Sequence, residues 1–218
     1  TMKADDITRK TTAPDQSPRE KTKTTAEASP PLKFSQDTVA SQKSVVFENR
    51  HYYLTLSNLG GGTITQITLK DYDMYNGKPV SLLPENSRGN LSLKLYSSRL
   101  DTIRTAGLPF SSRPFGKYTS GDTISVLEPL SLTFRWSYDE KETIIRKITL
   151  YPDQWDFHLD VQLRGFSGTI PAMKYSLNWH DGFAITEKNV TDDLNYSYLY
   201  SLMGEELVQL KLKDKLET

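Results

Sequence analysis

Leu130, Leu132, Phe134, Trp136 and Tyr138 fall at every second position and alternate with Ser131, Thr133, Arg135 and Ser137. A period of two puts successive side chains on opposite faces of an extended strand. This run therefore predicts a half-buried antiparallel strand with its aromatic face inward. Weaker forms of the pattern predict further strands at 45–47, 52–57, 63–69, 80–83, 91–96, 123–127, 142–151, 157–164, 173–179, 184–187, 196–202 and 206–212. Residues 203–215 also suit a helix, because Leu207, Leu210 and Lys211 fall at helical spacing, and both readings stand. Turn formers separate the runs: Asn76-Gly77, Pro84-Glu-Asn86, Ser120-Gly-Asp122, Pro152-Asp-Gln154, Gly165 with Gly168, and Asp181-Gly182. Strands this short, with so little helix between them, predict an all-β sandwich or barrel. No internal repeat is visible.

One stretch carries extra detail. Tyr52, Leu54 and Leu56 alternate with Tyr53, Thr55 and Ser57, and Gly60-Gly61-Gly62 follows. Glycine takes positive φ without a Cβ clash, so residues 58–62 predict a tight turn between two strands. Beyond it Ile64, Ile67 and Leu69 resume the apolar pattern with one step out of phase, which predicts a β-bulge.

Composition divides the chain. Residues 1–43 are rich in Thr, Lys, Glu, Ser, Pro and Gln, with Phe34 as their sole aromatic and Pro14, Pro18, Pro30 and Pro31 interrupting any helix. Such a segment buries too little apolar surface to offset its ordering entropy, so a disordered tether is expected there. A docking peptide is the alternative. Residues 44–218 are the expected β domain. The whole chain carries 27 basic and 27 acidic residues, so it lacks the basic excess of a general nucleic-acid binder, and no nucleic-acid partner is expected. Cysteine is absent, which excludes disulfides and thiolate zinc sites. No apolar run approaches the roughly 18 residues a membrane-spanning helix needs, so this stretch is expected to be soluble.

Four segments, in order, resemble a known family. They are Glu48-Asn-Arg-His-Tyr52 with Ser57-Asn-Leu-Gly-Gly61 and Ile64 to Tyr72; the strand, Pro152-Asp-Gln-Trp155, strand unit over 144–163; Tyr175-Ser-Leu-Asn-Trp-His-Asp-Gly-Phe183; and the acidic, tyrosine-rich stretch over 187–200. Together they resemble the large periplasmic domain of the YidC membrane-protein insertase. The resemblance implies an antiparallel β-supersandwich of the galactose-mutarotase-like type, with at most one short helix. It implies a parent protein embedded in the bacterial inner membrane, with this domain facing the periplasm. It also implies a non-catalytic role and no cofactor, with auxiliary subunits of the Sec translocon and nascent membrane proteins as partners. Phe183 stands where the family has Leu. The family's last strands and linker helix have no counterpart here, so a domain shortened at its C-terminal end is expected.

The fold raises the alternative of a carbohydrate-binding protein or a mutarotase-like epimerase. Mutarotation needs an acid and a base facing the sugar ring, and His180 with Glu187 is the one pair worth weighing among His51, His158 and His180. A His and a Glu seven residues apart are common by chance, and fold alone confers no activity. Asp192-Asp193 lacks the spacing of a calcium loop and reads more simply as solvated acids. No phosphate-binding loop, nucleophile elbow or zinc-protease motif is present. Tyr196, Tyr198 and Tyr200 share one face of the strand expected at 196–202. A tyrosine row packs the rim of a sheet or forms a contact surface, since tyrosine offers apolar area with a hydrogen-bonding tip. These three residues are the candidate partner-binding site.

Overall fold

The computed structural model describes residues 42–97, 102–170 and 174–211, apart from the side chains of residues 203, 210 and 211. The expected tether over 1–43 lies almost wholly outside the described residues.

The chain opens with β1 (Ser44–Glu48), β2 (Tyr52–Ser57), β3 (Thr63–Asp73) and β4 (Pro79–Ser81), each antiparallel to the last. β7 (Thr123–Ser125) adds to β1 in parallel and completes a five-stranded sheet ordered β4-β3-β2-β1-β7. A second sheet is the meander β8 (Leu130–Ser137), β9 (Thr143–Leu150) and β10 (Phe157–Arg164). A third pairs β11 (Tyr175–Asn178) and β6 (Thr102–Arg104) on either side of β5 (Ser92–Tyr96). The last is the hairpin β12 (Tyr198–Met203) and β13 (Glu206–Lys211). The class is all-β, as the alternating patterns predict. Among the described residues, helix is limited to α1 (Arg113–Gly116), α2 (Val190–Tyr196) and one 3-10 turn at Phe166–Gly168, so they hold two short α-helices where at most one was expected.

The core sits between the first two sheets. Val45, Phe47, Leu54, Leu56 and Ile64 face Leu132, Phe134, Ile144, Ile148 and Leu150, all buried. Phe115 of α1 wedges between them, its ring 6.2 Å from Phe47 and 5.2 Å from Phe134. The glycine turn makes this packing possible. Gly60, Gly61 and Gly62 all have positive φ. A Cβ on Gly62 would lie 2.5 Å from Ile148 Cδ1 and 2.7 Å from the Phe134 ring. The turn thus needs glycine twice over, for its backbone angles and for its closeness to the second sheet. The bulge falls where the phase slips: Thr55 pairs with Gln66 but Leu56 with Ile64, leaving Thr65 as the extra residue.

Several expected elements shift. Residues 184–187 form no strand, because Asp193 Oδ2 accepts the amides of Thr186 and Glu187 that a ladder would use. Tyr196 ends helix α2 rather than opening a strand. Residues 206–211 are strand and not helix, reversing through Gly204, which has φ +66°. Trp136 is only half-buried; the fully buried ring of β8 is Phe134.

Candidate functional site

Helix α2 and the hairpin place the three candidate tyrosines. Asn189 caps α2 by accepting the Thr191 amide on its side chain, and Asp192 and Asp193 sit in the first turn, where acids oppose the helix dipole favourably. The helix stops at Tyr196, so that ring is separated from the strand face shared by Tyr198 and Tyr200. Those two rings lie 6.3 Å apart, tilted by 41°. Tyr196, Tyr198 and Tyr200 are 79%, 40% and 55% exposed. Leu202 and its cross-strand partner Leu207 continue the same face, and Leu199 lies exposed on the other. A two-stranded ribbon with apolar groups exposed on both faces is a surface with little of its own to cover it.

Among the described residues no hydrogen bond or ion pair joins His180 to Glu187, and the two have separate partners. The His180 ring meets Ser92 Oγ at 2.7 Å through Nε2, and its backbone amide donates to Asn90 Oδ1 at 2.7 Å. Asp181 Oδ2 accepts from Ser87 Oγ and the Arg88 amide, both at 2.7 Å. Trp179 Nε1 donates to the Gly182 carbonyl and its ring stacks on Phe183 at 5.1 Å. The Trp-His-Asp-Gly-Phe run is thus a latch that fastens the end of β11 to the loop before β5. Glu187 lies exposed in the loop before α2, with its amide on Asp193.

The first two sequence motifs meet at one end of the domain. Asn49 is buried and uses its whole amide: Oδ1 accepts from the His51 and Tyr52 amides at 2.9 Å, and Nδ2 donates to the Tyr151 and Gln154 carbonyls at 3.1 and 2.9 Å. His51 stacks on Trp155 at 4.4 Å and its Nε2 lies 3.1 Å from Asp153. Lys70 meets Glu48 at 2.6 Å, and that hydrogen bond holds the Glu48 carboxyl below its ordinary pKa. The strand-turn-strand units around Asn49 and Pro152 are therefore one fastened structure. Against known families, residues 44–216 match the model of the YidC periplasmic domain.

The chain belongs to the YidC periplasmic domain family. It is 27% identical over 181 residues to the membrane protein insertase YidC of Chlorobaculum parvum, covering 83% of this chain and 30% of that protein. It is 29% identical over 185 residues to the one of Chlorobaculum tepidum, covering 85% and 31%. It is 27% identical over 164 residues to the one of Amoebophilus asiaticus, covering 72% and 25%. The chain thus spans about a third or less of these relatives' length. No solved structure matches it significantly. As its family describes, the domain faces the periplasm, and the relatives are membrane insertases.

Sequence reasoning passed over one residue of this YidC-type domain. Arg146 on β9 is 0% exposed and faces the core in line with Ile144 and Ile148. Its Nη1 donates to the Gly60 carbonyl, while Nε and Nη2 have no protein partner among the described residues. Burial without an acid partner pulls its pKa down to about 10. The signal was legible as a charged residue in phase with the apolar face of a strand.

Proposed function

We propose that this domain is a non-catalytic recognition module of a YidC-type insertase, engaging auxiliary Sec translocon subunits or periplasmic segments of client proteins. The observation that carries this reading is the β12–β13 hairpin, which presents Tyr198, Tyr200, Leu202 and Leu207 to solvent beside the exposed Tyr196. Tyrosine and leucine side by side supply apolar area, and the phenol tips add hydrogen bonds. The ribbon's free edges also offer backbone groups to an extended segment. The engagement of His180 with Ser92 supports the non-catalytic part, since a general acid-base pair must converge on one substrate.

The test is capture by the immobilised domain of purified auxiliary Sec subunits and of a periplasmic client segment. Tyr198→Ser is expected to weaken capture while leaving stability within about 0.5 kcal/mol, as at a surface site. Unchanged capture would move the partner surface elsewhere. Polarimetry with freshly dissolved aldoses tests the absence of catalysis. Acceleration that both His180→Ala and Glu187→Gln abolish would make the domain an epimerase.

A further inference from the structure

Away from the hairpin, the segment before α1 lies against the free edge of β8. Ser111 and Arg135 form an isolated antiparallel bridge, with N–H to C=O bonds of 2.8 Å in both directions. Ser111 Oγ adds a third bond to the Arg135 carbonyl at 3.2 Å. This bridge and the buried Phe115 fix a cleft whose lining is Ser111, Ser112, Arg113, Pro114, Thr133 and Arg135. Apart from the proline, every lining residue carries a hydroxyl or a guanidinium.

The donor count is what singles the cleft out. Arg113 and Arg135 are exposed, and neither makes an ion pair among the described residues. Ser112 Oγ accepts from the Phe115 amide, which leaves its own proton free to donate outward. Thr133 lies two residues before Arg135 on the same face of β8, about 7 Å along the strand. The outward face of this sheet also carries Lys147, His158 and Arg164, against Asp160 as its one acid. A chain of zero formal net charge therefore gathers positive charge on this face, which draws anions toward it.

We propose that this cleft binds a phosphate group, carried by a soluble ester or by a lipid head group. A guanidinium presents two parallel N–H donors that match two oxygens of one oxyanion. Two such forks plus two hydroxyls offer more donors than a carboxylate's two oxygens can accept, and the three terminal oxygens of a phosphate monoester use them more fully.

Calorimetric titration of the 218-residue chain at low ionic strength tests the site, with inorganic phosphate, glycerol 3-phosphate and acetate as probes. Flotation with vesicles of phosphatidic acid, whose head group is a phosphate monoester, and of phosphatidylcholine runs alongside. Phosphate or glycerol phosphate is expected to bind at least tenfold more tightly than acetate, and Arg113→Gln with Arg135→Gln to weaken that binding at least tenfold. The double Lys variant keeps the charge, loses the forks and is expected to weaken it as well. Both side chains are exposed, and an unchanged thermal midpoint in each variant establishes that it is folded. Flotation on phosphatidic acid that the Gln pair abolishes assigns the lipid head group; saturable phosphate binding without flotation assigns a soluble ester. Absence of binding in both arms overturns the proposal. So does binding that the double Gln variant leaves unchanged, or acetate binding as tightly as phosphate.

Discussion

Arg146 is a charge held in an apolar core by one backbone carbonyl. Removing one partner of a buried ion pair costs about 3–5 kcal/mol because an uncompensated charge is left behind, whereas replacing the whole pair by apolar side chains of similar volume is often neutral. Arg146 has no acid partner among the described residues, so Arg146→Met strands no opposite charge and is expected to cost no more than about 1 kcal/mol in chemical denaturation. A loss of 3 kcal/mol or more, on the order of a broken ion pair, would mean that the charge is satisfied in the core. Tyr52 gives a second test at this scale. Its hydroxyl is buried without a partner among the described residues, and burial, with a smaller push from Asp156, raises its pKa to about 12. A raised folded pKa stabilises below the unfolded value of 10 and loses that contribution as pH climbs through the folded one. The wild type is thus expected to lose stability between about pH 10 and pH 12 relative to Tyr52→Phe. Parallel pH profiles for the two proteins would contradict the burial of that hydroxyl. The phase of Arg146 along its strand was legible beforehand, but the hydrogen-bonding state of either residue was not. Alternation marked Tyr52 as inward-facing, but the partners of a buried polar atom come from distant segments, as Asn49 shows by joining residues 51–52 to 151–154.

Among elements, the ones with clean period-two patterns were legible. β2 and β10 fall at the expected residues, and β8 alternates face by face as its sequence does. Elements that depend on a side chain capping the backbone were not. The Asn189 cap and the Asp193 carboxylate turn 184–196 into a loop and helix, and this is why Tyr196 left the expected strand. β6 was missed because one buried apolar residue, Ile103, is too little pattern to see. Depth along β8 was also illegible, since alternation gives a face and not a distance from the sheet's end. Phe134 sits mid-strand at 0% exposure and Trp136 near its end. Phe134→Ala is therefore expected to cost about 3–5 kcal/mol and Trp136→Ala about half as much, measured by denaturant midpoint. An equal or larger loss for Trp136 would put the centre of the core at the wrong end of the strand.

At the scale of the molecule, three of the four sequence segments that resemble the family turn out to be fastenings of the fold, while the fourth, over 187–200, forms α2 and the start of the exposed hairpin. The glycine turn meets the second sheet, Asn49 ties the first motif to the second, and the Trp179 to Phe183 latch closes on the β5 loop. Geometry demands residues of this kind at these positions, which is how a fold becomes recognisable from weak motifs. The tether rests on composition alone. Limited trypsin digestion is expected to leave a stable product beginning between Lys33 and Val45, and protection at Arg9 or Arg19 would contradict it. The central claim is recognition through the hairpin, and it is tested most directly in the whole insertase. A photo-reactive amino acid is placed at Tyr198 or Tyr200 of the full-length protein, with a third site at the outward-facing His158 of β10 as control. Cross-links from the hairpin to auxiliary Sec subunits or to nascent membrane proteins, in excess of those from His158, are the predicted result. Cross-links no more frequent from the tyrosines than from His158 would contradict the account.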